Sequence, residues 1–228
     1  MDKHYQPKFQ EEYSAKIPAL TLLTSLGWTF LSPKQIMDYR GYKQDEVVLR
    51  PVLREELSKR SFMAGGKTCQ LSEKALDNLI SQVCSPALNE GLLKANERMY
   101  NHLLYGIAVT EFVDGKKVNP TIALIDWEHP ENNQFHFTEE FTVLRSGGVE
   151  TRRPDIVCFV NGIPLAVIEA KSPAGHGKKG PTIDEGISQS IRNQLNDEIP
   201  QLFAYSQILL SINGHDGRYG TCHTPMKF

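Results

Sequence analysis

Residues 152–173 read RRPDIVCFVNGIPLAVIEAKSP, and the reading of this stretch decides the fold. It holds two apolar runs, DIVCFV and LAVIEA, joined by Asn161-Gly162. Short apolar runs around an Asn-Gly pair are the signature of a tight β-hairpin. Asp155 opens the first run, and Glu169 and Lys171 close the second. Across an antiparallel turn the start of one strand faces the end of the next, so Asp155 and Glu169 become neighbours. Lys171 lies two residues past Glu169 and projects to the same face. Two acids and one amine are thereby placed at one edge of a sheet otherwise suited to a core.

Two carboxylates held close together repel, and burial raises the pKa of one of them. A divalent cation removes the conflict. Mg²⁺ favours oxygen ligands, typically one or two carboxylates with waters and a substrate phosphate. Such an ion polarises the phosphate and helps make hydroxide from bound water. Lys171 would hold the attacking water or stabilise the charged transition state. The carbonyl of Ala170, between the two side chains, would complete the metal site. By composition alone, about one match to Asp, a gap and Glu-x-Lys is expected in a chain of this length. A salt bridge between Lys171 and one acid is therefore the competing reading. The context raises a metal-dependent nuclease to an equal footing with the salt bridge: Pro154 before Asp155, two apolar strands, a tight turn and charges grouped at one end.

Outward from this hairpin, the preceding chain changes character near residue 105. GIAVTEFV, a DGKK turn and TIALIDW read as a hairpin, and QFHFTEEFTVL alternates like a longer strand. After it come a Gly-rich basic loop, AGHGKKGPT, a helix over 183–197 and a final buried strand, SQILLSING. Upstream the pattern is helical. Helices are expected over 9–26, from Pro51 through VLREELSKR, over EKALDNLISQV after Ser72, and from about Asn89 to Leu104. Helices, then an antiparallel meander, then helix and strand indicate α/β or α+β with a mixed central sheet. No internal repeat or clear linker is visible.

The 228 residues suffice for one sizeable core, or a core with a small helical addition. Net charge is −2, which is not the global signature of a nucleic-acid-binding domain. Any DNA contact must come from local patches, with Arg145, Arg152, Arg153, Lys178, Lys179 and Arg192 as candidates; each alone also reads as a solvated surface charge. No run of about 18 apolar residues predicts a membrane span, and the polar N-terminus lacks a secretion signal core, so a cytoplasmic location is expected. Four scattered cysteines without a CxxC pair read as free thiols rather than a zinc site. Gly66-Lys67-Thr68 has the tail of a phosphate loop but lacks its first glycine and reads as a plain loop. His176 lies just past Lys171, near where a phosphate would sit. His129, His136, His215 and His223 show no ligand spacing.

RPDIVCFVNGIPLAVIEAKSP resembles the nuclease motif of the restriction (R, or HsdR) subunit of type I restriction-modification enzymes, within the wider PD-(D/E)xK superfamily. The resemblance extends upstream to LLYGIAVTEFVDGKKVNPTIALIDWEHPENNQFHFTEEFTV. Downstream it includes IRNQLNDEIPQLFAYSQILLSINGHDGRYGT, covering roughly residues 90–224. It implies an α/β restriction-endonuclease-like fold with a mixed central sheet flanked by helices. Residues 1–90 would be a mainly helical part packing on the core. Residues 91–215 would be the endonuclease, and 216–228 would begin the connection to an ATPase motor. It implies that Asp155, Glu169 and the Ala170 carbonyl bind Mg²⁺ and that Lys171 assists cleavage. The family also carries a Gln-xxx-Tyr helix. Gln189 to Asn193 fits by position, while Gln201 to Tyr205 matches the letters. Gln189 is favoured, and Tyr205 is expected to pack in the next element. Arg152, Arg153, Lys178, Lys179 and Arg192 would meet double-stranded DNA. The methyltransferase (M) and specificity (S) subunits would be partners, and ATP would serve the full-length protein. A non-catalytic docking module between motor and methyltransferase core is the alternative.

Overall fold

The computed structural model describes residues 12–173 and 182–225. Lys178, Lys179 and His176 lie outside the described residues. The centre is one six-stranded sheet: β1 (Thr29–Phe30), β2 (Phe135–Glu139), β3 (Ile156–Val160), β4 (Ile163–Ala170), β5 (Ile208–Ile212) and β6 (Gly217–Gly220). Spatial order follows chain order. The β2–β3 and β3–β4 pairs are antiparallel, as the meander predicts, and β5–β6 is too. The β1–β2 and β4–β5 pairs are parallel, so the sheet is mixed. Every residue of β3 is buried, which explains its unbroken apolar run.

The Asn-Gly turn is present. Asn161 (φ 51°) and Gly162 (φ 80°) both take left-handed backbone, as a type I′ hairpin requires. Gly162 does a second job. A side chain there would come within 2.6 Å of the Leu49 carbonyl, and Leu49 N–H donates to Gly162 O at 2.8 Å. The hairpin tip is thereby docked against the chain just ahead of the upstream helices.

Seven α-helices flank the sheet among the described residues: α1 (Ile17–Ser25), α2 (Pro33–Tyr39), α3 (Arg50–Ser58), α4 (Glu73–Val83), α5 (Leu92–Tyr105), α6 (Ile183–Asn193) and α7 (Pro200–Phe203). One sheet face packs Phe137, Ile156, Cys158 and Ile168 against Ala19, Leu20 and Leu23 of α1. The opposite face sends Val157, Phe159, Val167 and Leu209 into a larger core with Leu53, Leu79, Met99 and Phe203. Alternation along each strand gives this division. On β4 it puts Glu169 on the same face as Val167. Arg40, buried beneath Phe141, donates to the carbonyls of Gln44 (2.7 Å), Glu46 (2.5 Å) and Thr142 (2.8 Å). This guanidinium ties the chain after α2 to the chain after β2.

Several expected boundaries move. The single strand expected over QFHFTEEFTVL breaks at Glu140, whose φ is 54°. Beyond the break, Val143–Leu144 pairs with Thr151–Arg152 in a separate ladder. The expected helix over 183–197 ends at Asn193, and a short helix restarts at Pro200. SQILLSING is followed by one more strand, β6, so it is not the last. The expected plain loop at Gly66-Lys67-Thr68 is part of a hairpin. Ser61–Ala64 pairs with Lys67–Gln70 around Gly65 and Gly66, both at positive φ. The first helix begins with a π-helical turn over Glu12–Lys16.

Candidate active site

Asp155, Glu169 and Lys171 meet at the sheet edge where β3 begins and β4 ends. Ile156 pairs with Ile168, which brings the residues on either side, Asp155 and Glu169, to adjacent strands on one face. The Lys171 ammonium stands 3.6 Å from Asp155 Oδ2 and 3.7 Å from Glu169 Oε2. Both distances exceed a direct hydrogen bond. The ammonium instead donates to the Ala170 carbonyl at 2.9 Å. Asp155 Oδ2 accepts the Ala170 N–H at 2.8 Å, so the carboxylate is braced by the backbone of the neighbouring strand. Glu169 is fully buried and Lys171 nearly so, at 6% exposure. Two acids and one amine meet here with little solvent, which strengthens the interactions among their charges.

Backbone bonds fix this rim. Lys171 N–H donates to Ile212 O at 2.7 Å, extending the parallel β4–β5 pairing one residue past the strand. On the other side, Glu140 N–H donates to Asp155 O at 2.9 Å. Lys16, carried by the first helical turn, bridges Glu139 at 3.0 Å and also pairs with Glu140. Burial works against the Lys16 charge, but its bonds to Glu140 and Glu139 outweigh it and hold the pKa above the ordinary lysine value.

The other expected site residues fall into two groups. Gln189 is half-buried on α6, one turn beyond Gly186, where an added Cβ would stand 3.4 Å from Lys171 Cγ. Tyr205 is buried, and its hydroxyl donates to Val83 O at 2.9 Å; it packs, as expected, at the α4 end. Gln201 donates to Leu144 O at 2.6 Å. Arg152 grips Glu198 with two nitrogens, at 2.6 Å and 2.8 Å, and this bond raises its pKa. Arg145 joins the same carboxylate at 3.3 Å. Arg153 is largely exposed and pairs with Glu140. Arg192 is exposed in the last turn of α6.

Sequence reasoning missed three rim residues: Lys16, Ser211 and Gly186. Ser211 pairs with Glu169 across β4–β5. A lone polar residue in ILLSI and a glycine inside a helical pattern were the available signals. Lys16 had none, since its acids lie over 120 residues away in sequence.

Among the described residues, no three His, Cys, Asp or Glu side chains gather as a metal cluster. The donor set is two carboxylates and a backbone carbonyl, all oxygen. This suits a hard ion that keeps several waters better than zinc or copper, which favour sulfur and imidazole ligands. No helix among the described residues is long and apolar enough to cross a membrane.

Comparison with known proteins adds the context. The family described as type I restriction enzyme R protein N terminus matches residues 8–228. The chain is 31% identical to the Type I restriction enzyme HindI endonuclease subunit of Haemophilus influenzae, over 90% of this chain and 19% of that one. It is 28% identical to the putative type I restriction enzyme MjaIXP endonuclease subunit of Methanocaldococcus jannaschii, over 94% of this chain and 20% of that one. The MjaVIIIP endonuclease subunit of the same organism is 29% identical over 82% of this chain and 16% of its own length. The chain thus spans about one fifth of the length of these relatives.

Proposed function

Because this chain belongs to the type I restriction enzyme R protein family, matching its N-terminal region, we propose that it is the Mg²⁺-dependent endonuclease region of an R subunit, with a PD-(D/E)xK core and double-stranded DNA as substrate. The observation that carries the reading is the convergence of Asp155, Glu169 and Lys171 on one face at one sheet edge, with the ammonium 3.6 Å and 3.7 Å from the two acids.

In this reading Asp155, Glu169 and the Ala170 carbonyl hold the ion. When bound, Mg²⁺ neutralises phosphate charge and lowers the pKa of a bound water. Lys171, whose ammonium bonds Ala170 O at 2.9 Å beside both acids, would stand next to the ion and face the substrate phosphate. There it orients the attacking water and stabilises negative charge on the phosphoryl oxygens. The water oxygen forms a bond to phosphorus, one P–O ester bond breaks, and the departing oxygen leaves protonated. Gln189 would line the approach to Lys171. Arg153 and Arg192 are exposed and would contact DNA phosphates, each through a sequence-independent, salt-sensitive attraction. Arg152 would reach a phosphate only by leaving Glu198.

The surrounding machinery is part of the proposal. The R subunit would continue into ATP-driven motor domains and assemble with M and S subunits, which read and modify the DNA. The competing reading is a docking module. It draws on the apolar outer face of α1, where Leu22 and Leu26 are 59% and 66% exposed.

The test is titration calorimetry of Mg²⁺ or Mn²⁺ on wild type and Asp155→Ala, together with cleavage by the assembled enzyme. Ion binding lost in the variant, with cleavage abolished and translocation retained, supports the nuclease. Normal cleavage by Asp155→Ala would end the reading and leave the docking module.

A further inference from the structure

The helix that follows Lys171 in the chain, α6, meets the site through a glycine. A Cβ at Gly186 would collide with Ser211 Oγ, and would stand 3.2 Å from Ser211 Cβ and 3.4 Å from Lys171 Cγ. The contact with the lysine stem is ordinary packing, whereas the contact with the serine leaves no room for alanine. Ser211 is buried, pairs with Glu169 across the β4–β5 ladder, and donates its hydroxyl to Ile183 O at 2.9 Å. That carbonyl belongs to the first residue of α6. One serine therefore pins the first turn of the helix and fills the notch that the glycine leaves. Glycine is unfavourable inside a helix, so its presence at the point of closest approach serves the approach itself.

Lys171 makes this contact consequential. Its ammonium bonds a backbone carbonyl and stands beyond hydrogen-bond reach of both carboxylates. Packing along its stem, rather than bonds to the acids, therefore sets where the charge sits. We propose that Gly186 and Ser211 form a seat that fixes the height of α6 above Lys171, and so act as positioning residues for the cleavage step. The proposal rests on the nuclease reading.

The experiment places Gly186→Ala in the full natural chain assembled with its partner subunits, and measures plasmid cleavage in Mg²⁺. Cleavage should fall about a hundredfold, the scale expected when a catalytic group is displaced by ~1 Å. Mn²⁺ binding should match wild type, because Asp155 and Glu169 are untouched. Adding Ser211→Gly removes both atoms that crowd the new methyl group, and should restore cleavage at least about tenfold toward wild type. In a folded Gly186→Ala protein, cleavage and Mn²⁺ binding lost in equal measure, without rescue by Ser211→Gly, would mark a purely structural glycine, and that result overturns the seat. Wild-type cleavage by Gly186→Ala overturns it as well. If Gly186→Ala does not fold, Ser211→Ala carries the test. It loses the bond to Ile183 without a collision, and should slow cleavage about tenfold at unchanged Mn²⁺ binding; undiminished cleavage overturns the proposal. Asp155→Asn runs alongside. If that variant cuts like wild type, the nuclease reading itself has failed. If it is dead while the seat variants are not, only the seat has.

Discussion

Two charged clusters flank the opening of β3, and they are built in opposite ways. Arg152 lies three residues before Asp155 and holds Glu198 through one hydrogen bond of 2.8 Å and an ion-pair contact of 2.6 Å. Arg145 reinforces the same carboxylate and also reaches Glu150 at 2.6 Å and Asp197 at 3.1 Å. This cluster closes the chain around β3 and spends its cations on fixed partners. Lys171, by contrast, stands between Asp155 and Glu169 at distances too long for a bond to either. In the first cluster each arginine has the Glu198 carboxylate within 3.3 Å. In the second, nearly dry, the amine bonds a backbone carbonyl and stands 3.6 Å and 3.7 Å from the two acids. Residue type alone would rank Arg152 and Lys171 together; only their partners separate a cation bonded to a carboxylate from one bonded to a backbone carbonyl.

The largest effect that would break this comparison comes from Lys171→Met. Removing the amine takes a cation from beside Asp155 and the buried Glu169, which should cost about 3 kcal/mol of stability in metal-free protein. Chemical denaturation should show that added Mn²⁺ recovers more stability in the variant than in wild type, since binding to the folded state is linked to folding. A variant as stable as wild type without metal would mean that the two clusters are energetically alike.

Glu198→Gln should act next. It leaves two guanidinium groups with a weakened acceptor, and a loss of about 1–2 kcal/mol is expected. Metal binding at Asp155 should be unchanged. If the variant instead alters DNA affinity through the released Arg152 and leaves stability intact, then Arg152 belongs with the DNA contacts after all. Tyr205→Phe should cost about 1 kcal/mol by orphaning the Val83 carbonyl, with cleavage unaffected at permissive temperature. A selective loss of cleavage would return Gln201 to Tyr205 to the catalytic machinery.

The smallest effect is that of pH. Burial lowers the pKa of His136 against the pull of Glu55 and Glu56, and burial with Arg98 lowers that of His102. As pH falls, the unfolded chain takes up these protons near the ordinary histidine value of 6.5, before the folded protein does. Stability should therefore be full above that pH and decline as pH falls through the depressed folded values. Melting scans between pH 7 and pH 5 should show the decline, and His136→Gln should flatten part of it.

Residue order was enough to set the hairpin and to bring three charged residues together at its base. Asn161-Gly162 admits one kind of turn, period-two alternation sets the faces, and antiparallel geometry then obliges Asp155 and Glu169 to meet. Those are local constraints, expressed within about twenty residues. Family membership was legible for the same reason. Tertiary structure alone decided the break at Glu140, the extra strand β6 and the pairing of Lys16 with acids far along the chain. It also decided that Arg152 is engaged while Arg192 is exposed, and that Gly186 is a contact rather than a helix flaw. Each depends on which surfaces meet across the sheet, and packing distances of a few tenths of an ångström carry no signal in residue order.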